Sequence, residues 1–346
     1  MDKIRLGRTN VMVSKSGFGA LPIQRIPFEE TKAILRAAYD NGINFFDTAR
    51  MYTDSEEKIG YALSDVRSHI ILATKSQAQD KKTLFSHLET SLKNLKTDYV
   101  DILQLHNPKD IPNPEDPESL YAGLLEAKKK GMIRFIGLTN HHIKTAIEAA
   151  ESELYDTIQF PLNSLSSDED LKLIDVCKRK DLGLIAMKAL SGGLITNASS
   201  AFAFLRQYDN VVPIWGIQKM SQLEEFIALE KKPPVLDEAM WQMIQKDKTE
   251  LAGDFCRGCG YCMPCPAGIE IPTQARISLL LGRAPYQPFL EDSFKEKMDR
   301  IPQCIECGHC KKNCPYELDT PNLLKRELKR YYEFYEEKRQ QSAGKL

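Results

Sequence analysis

Short apolar runs and amphipathic stretches alternate strictly along this chain as far as about residue 230. The runs are Ser16–Ala20, Ile43–Phe46, His69–Ala73, Tyr99–Leu105, Ile133–Leu138, Asp156–Phe160, Gly183–Met187 and Val211–Ile214. Each is too short for a helix and is apolar without regular polar alternation, the pattern of a strand covered on both faces of a parallel sheet. Between and after them lie stretches with helical periodicity: Phe28–Asn41, Asp54–Ser64, Lys81–Leu95, Pro117–Lys129, Ile143–Glu151, Asp168–Lys180, Ala198–Tyr208 and Ser221–Glu230. In the first, Ile34, Leu35, Ala38 and Tyr39 share a face, and Gly42 follows as a residue free to take positive φ. Eight strand–helix units in succession predict an α/β fold, a (β/α)8 TIM barrel over residues 1–232 with a hairpin over Leu6–Val13. No Gly-x-Gly-x-x-Gly follows any run, which argues against a doubly wound dinucleotide-binding sheet.

Lys231-Lys232-Pro233-Pro234 breaks the pattern, and residues 233–253 read as a linker with an amphipathic helix from about Leu236 to Leu251. Eight of the nine cysteines then fall in two groups, Cys256-x2-Cys259-x2-Cys262-x2-Cys265-Pro266 and Cys304-x2-Cys307-x2-Cys310-x3-Cys314-Pro315. Three thiolates at this spacing, followed by a cysteine before proline, resemble the ligand run that holds [4Fe-4S] clusters in bacterial ferredoxins. Residues 254–318 are accordingly expected to form a small ferredoxin-like 4Fe-4S domain. Zinc sites instead pair Cys-x2-Cys units across a loop, and disulfides are disfavoured in a reducing compartment. In two-cluster ferredoxins the fourth cysteine of each run ligates the other cluster. The resemblance thus implies one cluster on Cys256, Cys259, Cys262 and Cys314 and another on Cys304, Cys307, Cys310 and Cys265. The first group is one residue shorter before Cys265, so a single cluster is the alternative. Cys177 reads as a small packed residue. Residues 319–346 read as a solvated helical tail, because Asn322–Gln341 is rich in Glu, Lys, Arg and Tyr without a strong apolar stripe.

Charged residues make up 27% of the chain with a net charge of −1, so no basic bias points to nucleic acid or an anionic membrane. The N-terminus, MDKIRLGRTN, lacks an apolar signal region, and no stretch approaches about 18 consecutive apolar residues. The expectation is a cytosolic protein with neither nucleic acid nor membrane as partner.

In a TIM barrel the reactive groups stand at the C-terminal ends of the strands. There Asp47 closes Ile43–Phe46, Lys75 follows His69–Ala73, His106 closes Tyr99–Leu105 and Asn140 follows Ile133–Leu138. With Leu6-Gly7-Arg8-Thr9, Gly17-Phe18-Gly19 and Asp47-Thr48-Ala49-x-x-Tyr52, the chain resembles the aldo-keto reductases from about Arg5 to Phe226. That resemblance implies a catalytic tetrad of Asp47, Tyr52, Lys75 and His106 and a nicotinamide cofactor, NADP(H) or NAD(H). It implies further that Asn140 and Gln159 hold the carboxamide, that Met187 and Lys188 lie by the ring, and that the loops with Gly193 and with Gly216–Lys219 follow the phosphates. Met187 stands where many members stack a tyrosine, and Lys219 is the one evident cation for a 2′-phosphate, so the choice between the two cofactors stays open.

The tetrad suits carbonyl reduction, which needs a hydride from the nicotinamide and a proton for the developing alkoxide. Tyr52 is expected to be the acid, its pKa drawn down from about 10 by Lys75. A two-unit shift takes about 2.7 kcal/mol, and an ammonium about 4 Å away at an effective dielectric near 20 supplies about 4 kcal/mol. Asp47 would keep Lys75 charged and aimed, and His106 would orient the carbonyl. A hydride carries two electrons and a cubane accepts one, and no flavin motif bridges them. The first expectation is thus a carbonyl reductase whose clusters transfer electrons, with a redox protein partner, or staple the small domain. The alternatives are an electron-transfer protein or a redox sensor that uses the barrel as a nicotinamide-binding dock.

Overall fold

The computed structural model describes residues 1–283 and 286–343. Residues 284–285 and 344–346, within the expected cluster domain and tail, lie outside the described ones. The chain divides into two compact units, Met1–Leu190 with Asn197–Gln245, and Ser191–Thr196 with Lys246–Leu346.

The first unit opens with a hairpin of β1 (Lys3–Arg5) and β2 (Met12–Ser14). Eight parallel strands follow: β3 (Gly17–Gly19), β4 (Phe45–Asp47), β5 (Ile71–Ser76), β6 (Val100–His106), β7 (Ile133–Thr139), β8 (Thr157–Pro161), β9 (Gly183–Met187) and β10 (Val211–Gly216). They pair in sequence order, and β10 closes the barrel onto β3. Each of the eight expected runs became one of these strands. Helices α1 (Phe28–Asp40), α2 (Ser55–Leu63), α3 (Lys81–Leu95), α4 (Leu120–Lys129), α5 (Ile143–Glu151), α6 (Asp168–Arg179), α7 (Ala198–Arg206) and α8 (Met220–Lys231) connect or follow them.

Local chemistry sets the helix starts. Asp80 accepts from Thr83 N at 2.8 Å ahead of α3, and Ser167 and Asp170 form a reciprocal capping box on α6. Two apolar layers hold the barrel. Outside the strands, Leu35, Leu88, Leu173 and their neighbours bury the helix faces. Inside, Phe45, Ala73, Ile102, Ile185, Val212 and Ile214 fill the bore, joined by Leu6 and Val13 of the hairpin. Leu6 packs on Gly183, the first residue of β9, where an added Cβ would lie 2.7 Å from Leu6 Cγ. The hairpin thereby closes the N-terminal mouth. Trp215 in β10 stacks between Phe202 (6.0 Å) and Phe226 (4.3 Å) and donates to Ser16 Oγ at 2.8 Å. Each aromatic pair adds about 0.5–1.5 kcal/mol beyond its buried area, which fixes the end of β10 against α7 and α8.

The two units divide after residue 245, inside the stretch 233–253 expected as linker and helix and within helix α9 (Glu238–Glu250). The first half of α9 belongs to the barrel, since Trp241 meets Phe204 edge-on at 6.2 Å and Ile244 is buried in the barrel core. Among the described residues no helix is long and apolar enough to cross a membrane.

The second unit contains α10 (Ile271–Gln274), α11 (Ile277–Arg283), α12 (Asp292–Met298), α13 (His309–Lys312) and α14 (Thr320–Ala343). Its core gathers Cys256, Cys262, Ile269, Ile271, Ile277, Met298, Cys310 and the buried face of α14. The segment Ser191–Thr196 groups here, with Arg276 donating to Gly192 O at 3.0 Å and Arg283 to Leu194 O at 2.9 Å. Helix α14 is not the solvated tail expected. Leu323, Glu327, Tyr331 and Tyr335, four residues apart, form a buried stripe. Glu327 disguises it in the sequence. Its carboxylate accepts from Ser278 N at 2.9 Å in the first turn of α11, a buried acid satisfied by an orphan helix donor.

Candidate functional site

The polar side chains expected to react emerge at the C-terminal ends of neighbouring strands. Asp47 ends β4, Lys75 lies near the end of β5, His106 ends β6 and Gln159 lies in β8. Tyr52 stands in the loop between β4 and α2. Lys75 Nζ donates to Asp47 Oδ2 at 2.6 Å and to Thr48 O at 2.6 Å, and lies 5.3 Å from the Tyr52 ring centroid. The Tyr52 and His106 rings meet edge-on with centroids 6.0 Å apart. Asp47, Lys75 and His106 are buried, while Tyr52 is half-buried. Thr53, Asn107 and Lys188, which follow Tyr52, His106 and Met187, have left-handed φ of 37°, 58° and 55°. Strained backbone of this kind persists only where its surroundings hold it. Asn107 Oδ1 accepts from His141 N at 3.0 Å, and Lys188 O accepts from Asn163 Nδ2 at 3.0 Å.

Burial governs the electrostatics. It pushes the Asp47 carboxyl up, opposed by Lys75, Gln159 and Gln104, and pushes the Lys75 ammonium down, opposed by Asp47. Burial drives His106 well below its ordinary value and the Lys75 charge adds to this, so the imidazole is neutral at physiological pH. Tyr52 departs from expectation. Burial, and then the Asp47 charge, raise its phenol pKa instead of lowering it. Lys75 spends its charge on Asp47 at 2.6 Å, so the phenol meets a neutralised pair rather than a bare cation.

A nicotinamide carboxamide fits the amides nearby. Asn140 Nδ2 donates to Pro108 O at 2.8 Å and its Oδ1 accepts from His142 N at 2.8 Å. Gln159 accepts from Gln104 at 2.7 Å and reaches Asp47 at 3.4 Å. Each amide nitrogen carries two hydrogens and each oxygen two lone pairs, which leaves capacity for a ligand amide. Met187, at the end of β9, receives Thr139 Oγ1 on its sulfur at 3.7 Å. Gly216 ends β10 exposed, and Lys219 lies exposed at the start of α8, where Gln222 Oε1 accepts from Gln218 N and Lys219 N. Gly193 is the one expected cofactor residue that groups with the second unit. Gln104 went unremarked in the sequence, one of two polar residues, with Asp101, in a mostly apolar run.

In the second unit the cysteines ring two cavities. One is lined by Cys265, Cys304, Cys307 and Cys310, the other by Cys256, Cys259, Cys262 and Cys314. Cys262, Cys310 and Ile271 line both. Each cavity thus has five cysteines on its wall, the four expected to share a cluster among them, and an apolar space walled by thiols fits a cubane. Among the described residues no three His, Cys, Asp or Glu side chains converge on a single ion. The rings differ in exposure: Cys256 and Cys262 are buried, whereas Cys307 is exposed. Burial pushes the Cys262 thiol up to about 12, with Cys256 and Cys259 adding to the rise. A bound cluster would have to offset that cost, since ligation requires the thiolate. Cys177 is buried apart from both rings and its thiol is likewise raised to about 12.

Comparison with known proteins agrees with this architecture. Residues 15–203 match the aldo/keto reductase family and residues 255–319 match a 4Fe-4S dicluster domain. The L-galactose dehydrogenase of Arabidopsis thaliana is 32% identical over 218 residues, 57% of this chain and 68% of that protein. An aldo-keto reductase of Bacillus subtilis is 30% identical over 215 residues, covering 57% of this chain and 64% of its own length. Among solved structures, an aldo-keto reductase from Klebsiella pneumoniae in complex with NADPH superposes with a TM-score of 0.61 at 23% identity, covering 71% of this chain and 95% of that one. The holo form of one from Bacillus halodurans gives a TM-score of 0.60 at 22% identity, over 71% and 96%.

Proposed function

This chain belongs to the aldo/keto reductase family, and on that premise we propose that it reduces a small carbonyl compound with NADPH or NADH, Tyr52 supplying the proton. The observation that carries the reading is the Lys75–Asp47 pair at 2.6 Å with Tyr52 and His106 edge-on beside it. When bound, the nicotinamide supplies the hydride. A raised pKa makes the Tyr52 phenol a weaker acid than an ordinary one, so its proton would move only as the carbonyl oxygen gains charge on arrival of the hydride. His106, neutral, offers a ring N–H that orients that oxygen without adding a full charge. Lys75, anchored to Asp47 and Thr48 O, lies with its Nζ 5.3 Å from the Tyr52 ring centroid and would position that ring. Asn140 and Gln159 would hold the carboxamide, with Met187 and Lys188 by the ring and Gly216 and Lys219 along the phosphates.

In the same reading the second unit carries two [4Fe-4S] clusters in the crossed arrangement, and the exposure of Cys307 favours electron exchange with a redox protein over a purely structural staple. Tyr52→Phe tests the reductase role. The variant should quench and bind NADPH as the parent does and lose aldehyde reduction at least about a hundredfold; a fully active variant removes Tyr52 from the role of acid.

A further inference from the structure

One fully buried polar side chain has no part in that mechanism. Gln104 lies in β6 two residues before His106, so both side chains point into the barrel. Its surroundings in the bore, Phe45, Ala73, Ile102 and Ile185, are apolar. Gln104 Nε2 donates to Asp47 Oδ1 at 3.2 Å and to Gln159 Oε1 at 2.7 Å. Gln159 Nε2 in turn reaches Asp47 Oδ2 at 3.4 Å. At the other end of the amide, Gln104 Oε1 is buried without a hydrogen-bond partner among the described residues. An orphaned carbonyl oxygen lowers stability, and a hydrocarbon of the same length would avoid the loss. Turning the amide over would aim its oxygen at a carboxylate and at a second amide oxygen, so the neighbours fix its orientation. Space is set aside for it as well. A Cβ on Gly137 would lie 2.8 Å from Gln104 Cγ and 2.5 Å from Thr157 Oγ1.

An amide kept in an apolar bore at a cost in stability, with its donors aimed at Asp47, points to use. We infer that Gln104 is a positioning residue for the proposed reduction: it holds Asp47 ionised and facing Lys75, and it fixes the amide of Gln159. The inference rests on the reductase reading. Without Gln104, Asp47 keeps two of the three side chains that oppose its protonation. It then takes up a proton at higher pH and releases Lys75.

Gln104→Met, which preserves length and approximate volume, tests this in the full-length protein. The melting temperature should hold or rise, and the acid limb of kcat should move up by about one pH unit, which is about a tenfold loss on the acid side. An unchanged pH profile overturns the inference, with or without a lower melting temperature. A readout independent of turnover is the infrared C=O stretch of protonated Asp47, identified by its loss in Asp47→Asn; it should titrate at higher pH in Gln104→Met than in the parent. If the parent reduces no carbonyl yet this shift appears, the role of Gln104 stands and the reductase reading falls. If the parent reduces carbonyls and the titration does not move, the role of Gln104 falls.

Discussion

Replacing Lys75 by Met removes the cation from a carboxylate that is itself 2% exposed. At the observed 2.6 Å separation and an effective dielectric near 20, the direct attraction is about 6 kcal/mol. Much of that is offset by the desolvation of both ions, so the pair adds little relative to an apolar replacement of both members. Breaking it from one side is different: Lys75→Met leaves Asp47 buried with only the Gln104 and Gln159 donors, and Asp47→Asn leaves Lys75 buried with Thr48 O. Each single change should cost about 3–5 kcal/mol. For a domain of this size that lowers the barrel's melting temperature by about 6–20 °C. The double variant should recover about 3 kcal/mol or more relative to the sum while remaining inactive.

The pH dependence has a definite sign. Burial raises the folded pKa of Asp47 above its unfolded value, and losing Lys75 raises it further. The folded state then binds the extra proton, so the deficit of Lys75→Met is largest above the folded pKa and shrinks as pH falls toward the unfolded value near 3.9. Melts of the four proteins across pH 4–8 would measure this. Costs that add within about 0.5 kcal/mol, or a deficit that grows on acidification, would refute the account of a coupled buried pair.

Two further outcomes follow from the site geometry. Because burial raises the Tyr52 phenol and lowers the Lys75 ammonium, an alkaline limb of kcat for carbonyl reduction should report the loss of the Lys75 proton; a tyrosinate ultraviolet difference signal that grows in with the limb would mean that the phenol is lowered after all. If the proposed crossed ligation holds, Cys265→Ser should perturb the cluster of Cys304, Cys307 and Cys310, whereas Cys314→Ser should perturb the other. Each should reduce anaerobically measured iron from about eight toward about four per chain; the electron paramagnetic resonance spectrum of Cys265→Ser should match that of Cys304→Ser and the spectrum of Cys314→Ser that of Cys256→Ser, and the opposite matching would exclude crossing.

The barrel was legible because parallel strands buried on both faces write themselves as unbroken apolar runs, and Gly183–Met187 matches its strand to the residue. The polar residues at the strand ends stood out against those runs. Gln104 did not, because its meaning lies in what it faces across the bore, in Asp47 and Gln159, far away in the chain. The sign of the Tyr52 shift failed although the pairing of Asp47 with Lys75 was expected, because how deeply the fold buries the phenol, the largest cause of its rise, is set by residues far apart in the chain. Helix α14 was misjudged because a buried Glu327 interrupts its apolar stripe, and the partner that satisfies it, Ser278 N, belongs to another helix. The boundary in α9 depends on Trp241 meeting Phe204 across the fold, which no local break announces.

The unequal exposure of the two thiol rings bears on how the protein must be handled. On the two-cluster reading, oxygen and chelators would reach a cluster on the ring containing exposed Cys307 before one behind buried Cys256 and Cys262. Purified in air, the chain should therefore shed its iron in two stages, outer ring first, and pass through a half-loaded form. Iron content near one cluster in such a preparation would record exposure to air, and the count of ligands has to be taken on protein that has never left an anaerobic chamber.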